Sequence, residues 1–230
     1  MIGVYNYTVI LTYLSMISGA VGTILTMTGI GHPYLGAIFL LVCGTLDGLD
    51  GRVARTKPDR TKFEKDFGMQ IDSLSDLVCF GILPVAIGIS HFRITGHFTE
   101  LFSITHPKGD ALLSLCMIAI AAFYILTALI RLAYYNSTAE ERHKLAEETG
   151  IQYFTGVPVT VAALIFPIPL IIHYFLKIDL SVIYFFVMFV LALLFVGNFK
   201  VAKPHKSSLV IVVLVGFAEF CINVYIMTQL

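Results

Sequence analysis

The chain has 230 residues, 57% of them hydrophobic and only 13% charged. A soluble domain is about 45–50% apolar and about 25% charged, so neither an ordinary globular domain nor a disordered chain fits. Fifteen basic residues cancel fifteen acidic ones, which removes any bulk-charge argument for an acidic partner, and no nucleic acid is expected.

Seven continuous apolar segments follow in chain order, at 9–30, 33–55, 68–90, 110–135, 157–176, 179–198 and 207–228. Each approaches the roughly 20 residues that a helix needs to cross a bilayer. A membrane barrel would show short alternating strands instead. The sequence therefore predicts an all-α, polytopic transmembrane bundle, with 1–230 as one membrane domain. Cys43, Cys79, Cys116 and Cys221 each sit in an apolar run with no CxxC or CxxH spacing, and read as small buried hydrophobes. No cleavable signal peptide is expected, because residues 1–8 carry no Lys or Arg and the apolar run behind them is too long.

Placing the 56–67 loop in the cytoplasm puts twelve of the fifteen Lys and Arg residues inside, leaving Arg93, Lys108 and Lys177 outside. That asymmetry predicts a cytoplasmic N-terminus. A multi-pass protein of a bacterial or archaeal cell membrane is expected, with its site facing the cytoplasm.

Charge then appears where apolar spans should exclude it. Asp47 and Asp50 lie near the end of the second span, and Asp72 and Asp76 near the start of the third. Spacings of i,i+3 and i,i+4 put each pair on one helix face. Both pairs fall at the cytoplasmic ends of adjacent antiparallel helices, so four carboxylates can converge at one depth. A charge at the centre of a membrane helix costs roughly 2.5–3.5 kcal/mol on insertion scales, and clustered like charges add repulsion. Hard divalent cations answer that best, since oxygen ligands select Mg²⁺, Mn²⁺ or Ca²⁺ over zinc. Four carboxylates suit two ions clamping a phosphoryl group. Gly48, Gly51 and Ala54 leave the helix surface beside them bare, either for a ligand or for packing.

Asp47-x-x-Asp50-Gly51-x-x-Ala54-Arg55, then Gly68-x-x-x-Asp72-x-x-x-Asp76, resembles the motif of the CDP-alcohol phosphotransferase family at all its fixed positions. The twelve residues between Arg55 and Gly68 are more than the family's usual spacer, and read as an extended polar loop. Asp72-Ser-Leu-Ser-Asp76-Leu-Val-Cys-Phe-Gly81, Arg131-Leu-Ala-Tyr-Tyr-Asn136, Phe154-Thr-Gly156-Val-Pro158 and Asn198-Phe199-Lys200 resemble segments of the phosphatidylserine synthase branch.

The resemblance implies transfer of a phosphatidyl group from CDP-diacylglycerol to the L-serine hydroxyl, with release of CMP. It also implies a homodimer in membrane lipid, with six core helices around a cytosol-facing cavity and here a seventh helix added. By resemblance Asp47, Asp50 and Asp72 hold metal, while Asp76 shares the second Mg²⁺ or Mn²⁺ ion and acts as general base. Gly51 and Ala54 make room for the cytidine, and Arg55 binds its phosphates with a planar donor fork. Thr8, Thr12, Ser15, Gly19 and Gly22 form one stripe, either touching cytidine through Thr8 and Thr12 or packing on the second helix. Arg131, and more weakly Lys200, are candidates for the serine carboxylate. His91, His97 and His106 show no ligand spacing and read as interfacial residues of an external 91–109 loop, and the 137–150 segment reads as a short solvated helix.

Three other readings stay open. A prenyltransferase would separate its acidic motifs more widely. A cation or proton transporter would carry its acids near the midplane, in related halves. The same family could also use glycerol 3-phosphate or an inositol phosphate as acceptor.

Overall fold

The computed structural model describes residues 2–29, 32–95, 110–139, 141, 153–202 and 206–229. Its helices are α1 (Ile10–Thr28), α2 (Pro33–Ala54), α3 (Lys62–Asp76), α4 (Leu83–Ile94), α5 (Asp110–Ser137), α6 (Ala162–Ile165), α7 (Pro167–Leu176), α8 (Ser181–Val196) and α9 (Lys206–Gln229). A six-residue π-helical stretch, Leu77–Ile82, joins α3 to α4 into one rod. Among the described residues, six helical stretches are long and apolar enough to cross a membrane, and α8 is a shorter apolar helix of 16 residues. The seven expected spans thus have seven helical counterparts. Large apolar side chains such as Ile17, Ile24, Leu126, Phe186 and Val213 lie exposed, while Thr12, Ser15, Asp50 and Ser75 are buried. That inverted pattern suits a multi-pass membrane protein.

Local chemistry sets the boundaries. Pro33 opens α2, where its missing N–H is not needed, and Gly29 closes α1 in the left-handed conformation. The third rod starts at Lys62, not near residue 68, so half of the expected polar loop is helix. The cause is a capping box: Thr61 Oγ1 accepts from the Glu64 amide at 3.2 Å, and the Glu64 carboxylate accepts from the Thr61 amide at 2.8 Å.

The π-helical stretch has a cause of its own. Pro84 has no N–H for the Phe80 carbonyl, and its ring would crowd that carbonyl in a continuous α-helix. The wider turn relieves the crowding. Tyr124, fully buried on α5, donates its hydroxyl to the Phe80 carbonyl at 2.7 Å. Tyr184 on α8 donates to the Pro84 carbonyl at 2.8 Å in the same way.

Close helix packing follows the small residues. A Cβ on Gly22 would lie 2.6 Å from Phe39 Cβ, so α1 and α2 meet closely there. The core runs through Leu40, Phe80, Leu83, Tyr124, Phe166, Tyr184, Met188 and Phe195.

Two short strands qualify the all-α architecture. Tyr153–Thr155 (β1) pairs antiparallel with Lys200–Ala202 (β2), with Phe154 opposite Val201. Gly156 makes the turn out of β1 at φ 71°, and its amide donates to the Phe199 carbonyl at 2.7 Å.

His91 departs from expectation. It is not a loop residue but lies in the last turn of α4, 3% exposed. His97, His106 and most of the 137–150 segment lie outside the described residues. Cys43 and Cys79 are buried as expected, whereas Cys116 and Cys221 are exposed on the outer surface of the bundle.

Candidate active site

The carboxylates converge. One oxygen each from Asp47, Asp50 and Asp72 lies within 4.8 Å of the other two, the one such cluster of three or more potential ligands among the described residues. Asp72 lies against Asp50, and Asp76 lies against Asp47, so the i,i+3 pair of α2 faces the i,i+4 pair of α3. Asp76 stands outside the tight trio, one turn further into the rod. Three hard oxygen donors at this separation fit a divalent cation of the Mg²⁺ or Mn²⁺ type.

The flank of the cluster is open. A Cβ built on Gly48 or Gly68 meets nothing within 4 Å, and one on Gly51 meets only the Arg55 guanidinium at 4.0 Å. Among the described residues of the one chain, nothing packs against Gly48 or Gly68. The small residues of α1 are packing surfaces: a Cβ on Gly19 would lie 2.7 Å from Cys79 Sγ. Arg55 caps α2 and is exposed, beside the open flank. Ala54, just before it, is half-buried.

The two threonines take different places. Thr12 donates to Asp50 Oδ2 at 3.1 Å in a buried contact. Thr8 precedes α1, and both its amide and its hydroxyl are turned onto Asn6 Oδ1. Asn6, which the sequence did not single out, donates through Nδ2 to Glu64 Oε1 at 2.7 Å. Lys57 donates to the same oxygen at 2.7 Å, and that carboxylate holds the Lys57 ammonium above its usual pKa. Glu64 therefore ties the N-terminal segment and the α2–α3 loop to the start of α3.

The three later motif segments meet one another. Ser73 donates to Asn136 Oδ1 at 3.1 Å, and a Cβ on Gly81 would lie 3.7 Å from Ala128. These contacts fix α5 antiparallel to the third rod and bring Arg131 to within about a turn of the depth of Asp76. Arg131 is 6% exposed, donates Nε–H to the Val157 carbonyl at 3.2 Å and lies over the Tyr135 ring. Val157 follows β1, whose partner β2 begins at Lys200. The backbone of Lys200 pairs with Thr155, and its side chain lies outside the described residues.

A multi-pass helical bundle with clustered carboxylates at one end, beside an open glycine-lined flank, defines a membrane protein with a candidate metal-binding site. The family model for CDP-alcohol phosphatidyltransferase matches residues 5–197, and the chain belongs to that family. It is 32% identical to the CDP-diacylglycerol–serine O-phosphatidyltransferase of Saccharomyces cerevisiae over 162 residues, which are 66% of this chain and 50% of that protein. It is 27% identical to the Helicobacter pylori protein of the same name over 180 residues, 76% of this chain and 64% of that one. With the Methanocaldococcus jannaschii protein so named it shares 35% identity over 82 residues, 36% of this chain and 34% of that protein. The chain thus spans between half and just under two thirds of the yeast and Helicobacter proteins.

Proposed function

We propose that the protein, as one membrane domain over residues 1–230, transfers a phosphatidyl group from CDP-diacylglycerol to the hydroxyl of L-serine, giving phosphatidylserine and CMP. The observation that carries this reading is the meeting of Asp47, Asp50 and Asp72 beside the open surface at Gly48, Gly51 and Gly68. Relatives named as serine phosphatidyltransferases support the choice of acceptor, as does the convergence of Arg131, Val157 and the β1–β2 pair.

Asp47, Asp50 and Asp72 would hold two Mg²⁺ or Mn²⁺ ions, with Asp76 contributing to the second. Bound there, the ions supply charge neutralisation of the diphosphate and polarisation of its P–O bonds. The chain's own residues do the rest. Gly51 and Ala54 leave room for the cytidine, and Arg55 forks onto its phosphate. Thr12 orients Asp50 and stands as a candidate cytidine contact beside it. Thr8, hydrogen-bonded to Asn6, shapes the N-terminal segment on the nucleotide side. Arg131, with Lys200 as a second candidate, holds the serine carboxylate. Asp76 accepts the proton of the serine hydroxyl as its oxygen bonds to the phosphorus nearer the lipid. The bond from that phosphorus to the CMP oxygen breaks, and CMP leaves. The positive-inside pattern supports a cytoplasm-facing site in a cell membrane, and the family resemblance supports a homodimer.

The test is an acceptor panel on purified protein with CDP-diacylglycerol, reading CMP release. Serine should be the preferred acceptor. Activity should vanish with chelator and return with Mg²⁺ or Mn²⁺. Preference for glycerol 3-phosphate would overturn the acceptor, and full activity in chelator would overturn the metal site.

A further inference from the structure

The end of the bundle opposite the aspartates holds a second group of potential ligands. His32 precedes the first turn of α2, His91 lies in the last turn of α4 and His173 in the last turn of α7. Eighteen residues of α2 separate His32 from Asp50, or about 27 Å along the axis. The rings of His91 and His173 are 4.6 Å apart, centroid to centroid, and nearly perpendicular. His32 and Asp179 both lie within electrostatic reach of His91.

The hydrogen-bonding state of each ring is informative. His173 Nδ1 lies 2.7 Å from the Ile178 carbonyl, which can only accept. The proton therefore sits on Nδ1, which leaves Nε2 as the ring nitrogen that can offer a lone pair. A carbonyl that fixes the tautomer of one ring nitrogen is the arrangement that supports metal-binding histidines. His91 Nε2 is buried in a residue only 3% exposed and has no hydrogen-bond partner. His32 Nδ1 is likewise buried without a partner. Buried ring nitrogens are costly to leave unsatisfied. Two of them beside a third ring with a fixed lone pair form a donor set in search of one acceptor of lone pairs.

We propose that His91 Nε2, His173 Nε2 and His32 Nδ1 bind one borderline transition-metal ion of the Zn²⁺ class, tying α2, α4 and α7 together at this end. Imidazole nitrogen selects Zn²⁺ over the hard ions that suit the aspartates, so one chain carries two chemically distinct metal sites at opposite ends. Among the described residues only the three aspartates already bring ligand atoms within 4.8 Å of one another, so the histidines must close on the ion. His32 is the ring that moves. It rests stacked on Tyr34 at 4.9 Å, and turning its Nδ1 inward breaks no hydrogen bond of that atom. Asp179, beside His91 and bonded through Oδ1 to Ser181, supplies negative charge to the site.

The experiment uses tag-free, full-length protein in detergent, stripped of metal and then held in saturating Mg²⁺ so that the aspartates are occupied. Zn²⁺ is titrated by calorimetry, and Co²⁺ serves as the spectroscopic probe. One equivalent of Zn²⁺ should bind per chain and raise the thermal unfolding temperature, and Co²⁺ should give the visible absorption of a nitrogen-ligated ion. His91→Gln and His173→Gln should each weaken binding by at least about tenfold, whereas Asp47→Asn should leave the Zn²⁺ affinity unchanged. Should the buried His91 variant fail to fold, His32→Gln at the helix start gives the same comparison without touching the core. No Zn²⁺ binding above Mg²⁺, binding that survives the histidine variants, or binding lost in Asp47→Asn would each overturn the site.

Discussion

The Thr12 hydroxyl donates to Asp50 Oδ2 at 3.1 Å, so α1, which carries no acid, holds one of the acids in place. Asp50 is 7% exposed, the most enclosed member of the tight trio. A carboxylate fixed by an outer donor presents its remaining lone pairs in one direction, and such partners tune metal affinity. Thr12→Val keeps the shape and removes the donor. It should raise the Mg²⁺ concentration for half-maximal CMP release by about 10–100-fold, and Thr12→Ser should recover most of the loss. An unchanged Mg²⁺ requirement in the valine variant would remove Thr12 from that role.

Asp76 differs from its neighbours in standing outside the trio while lying against Asp47. If its main task is to take the serine proton, Asp76→Asn should abolish turnover yet still bind CDP-diacylglycerol. Asp47→Asn and Asp72→Asn should lose turnover and donor binding together, because each removes a ligand. Equilibrium binding of labelled donor separates the cases, and loss of binding in Asp76→Asn would make it a ligand first.

The carboxylate quartet was legible in the sequence because it depends only on helical spacing and on the cost of acids in apolar spans. The seven apolar helical segments, six of them long enough to cross a membrane among the described residues, were legible for the same short-range reason. The start of α3 was visible in Thr61-x-x-Glu64, but the charged residues around it read as loop. The π-helical turn has only Pro84 as a local hint, and the donor to the Phe80 carbonyl, Tyr124, is 44 residues away. Thr12 on Asp50, Asn6 on Glu64, and β1 on β2 are likewise long-range partners that no single-chain periodicity encodes. The gathering of His32, His91 and His173 is hidden for the same reason, since their spacing in the chain is irregular.

Glycines of the two kinds should respond oppositely to the same change. Gly19→Ala would drive a methyl group to 2.7 Å from Cys79 Sγ and 3.2 Å from Cys79 Cα, against backbone that cannot easily give. It should destabilise the bundle by about 1–3 kcal/mol, seen as a lower unfolding temperature in detergent. Gly48→Ala meets nothing within 4 Å, and alanine favours a helix over glycine by about 1 kcal/mol. It should leave the unfolding temperature unchanged or raised, yet raise the KM for CDP-diacylglycerol by filling space meant for the donor. A Gly48→Ala protein with wild-type KM would show that the open flank is not used.

Arg131 links the geometry to acceptor specificity, and its variants distinguish the roles open to it. Its Nε–H serves the Val157 carbonyl, so some loss on truncation belongs to that contact. A charge-assisted contact between guanidinium and the serine carboxylate would add roughly 1.5–3 kcal/mol, about tenfold to a hundredfold in affinity. Arg131→Ala should therefore raise the KM for serine by about that factor, with a smaller change for CDP-diacylglycerol. Arg131→Lys should recover only part, because an ammonium is a point charge without the planar fork. Serinol, which keeps the hydroxyl and amine but lacks the carboxylate, supplies the internal control. It should be a poor acceptor for the wild-type protein and should lose little more in Arg131→Ala, since the contact being removed is one that serinol never makes. If the variant instead loses donor and acceptor affinity equally, or loses serinol turnover as steeply as serine turnover, Arg131 acts by holding the segment after β1 against α5.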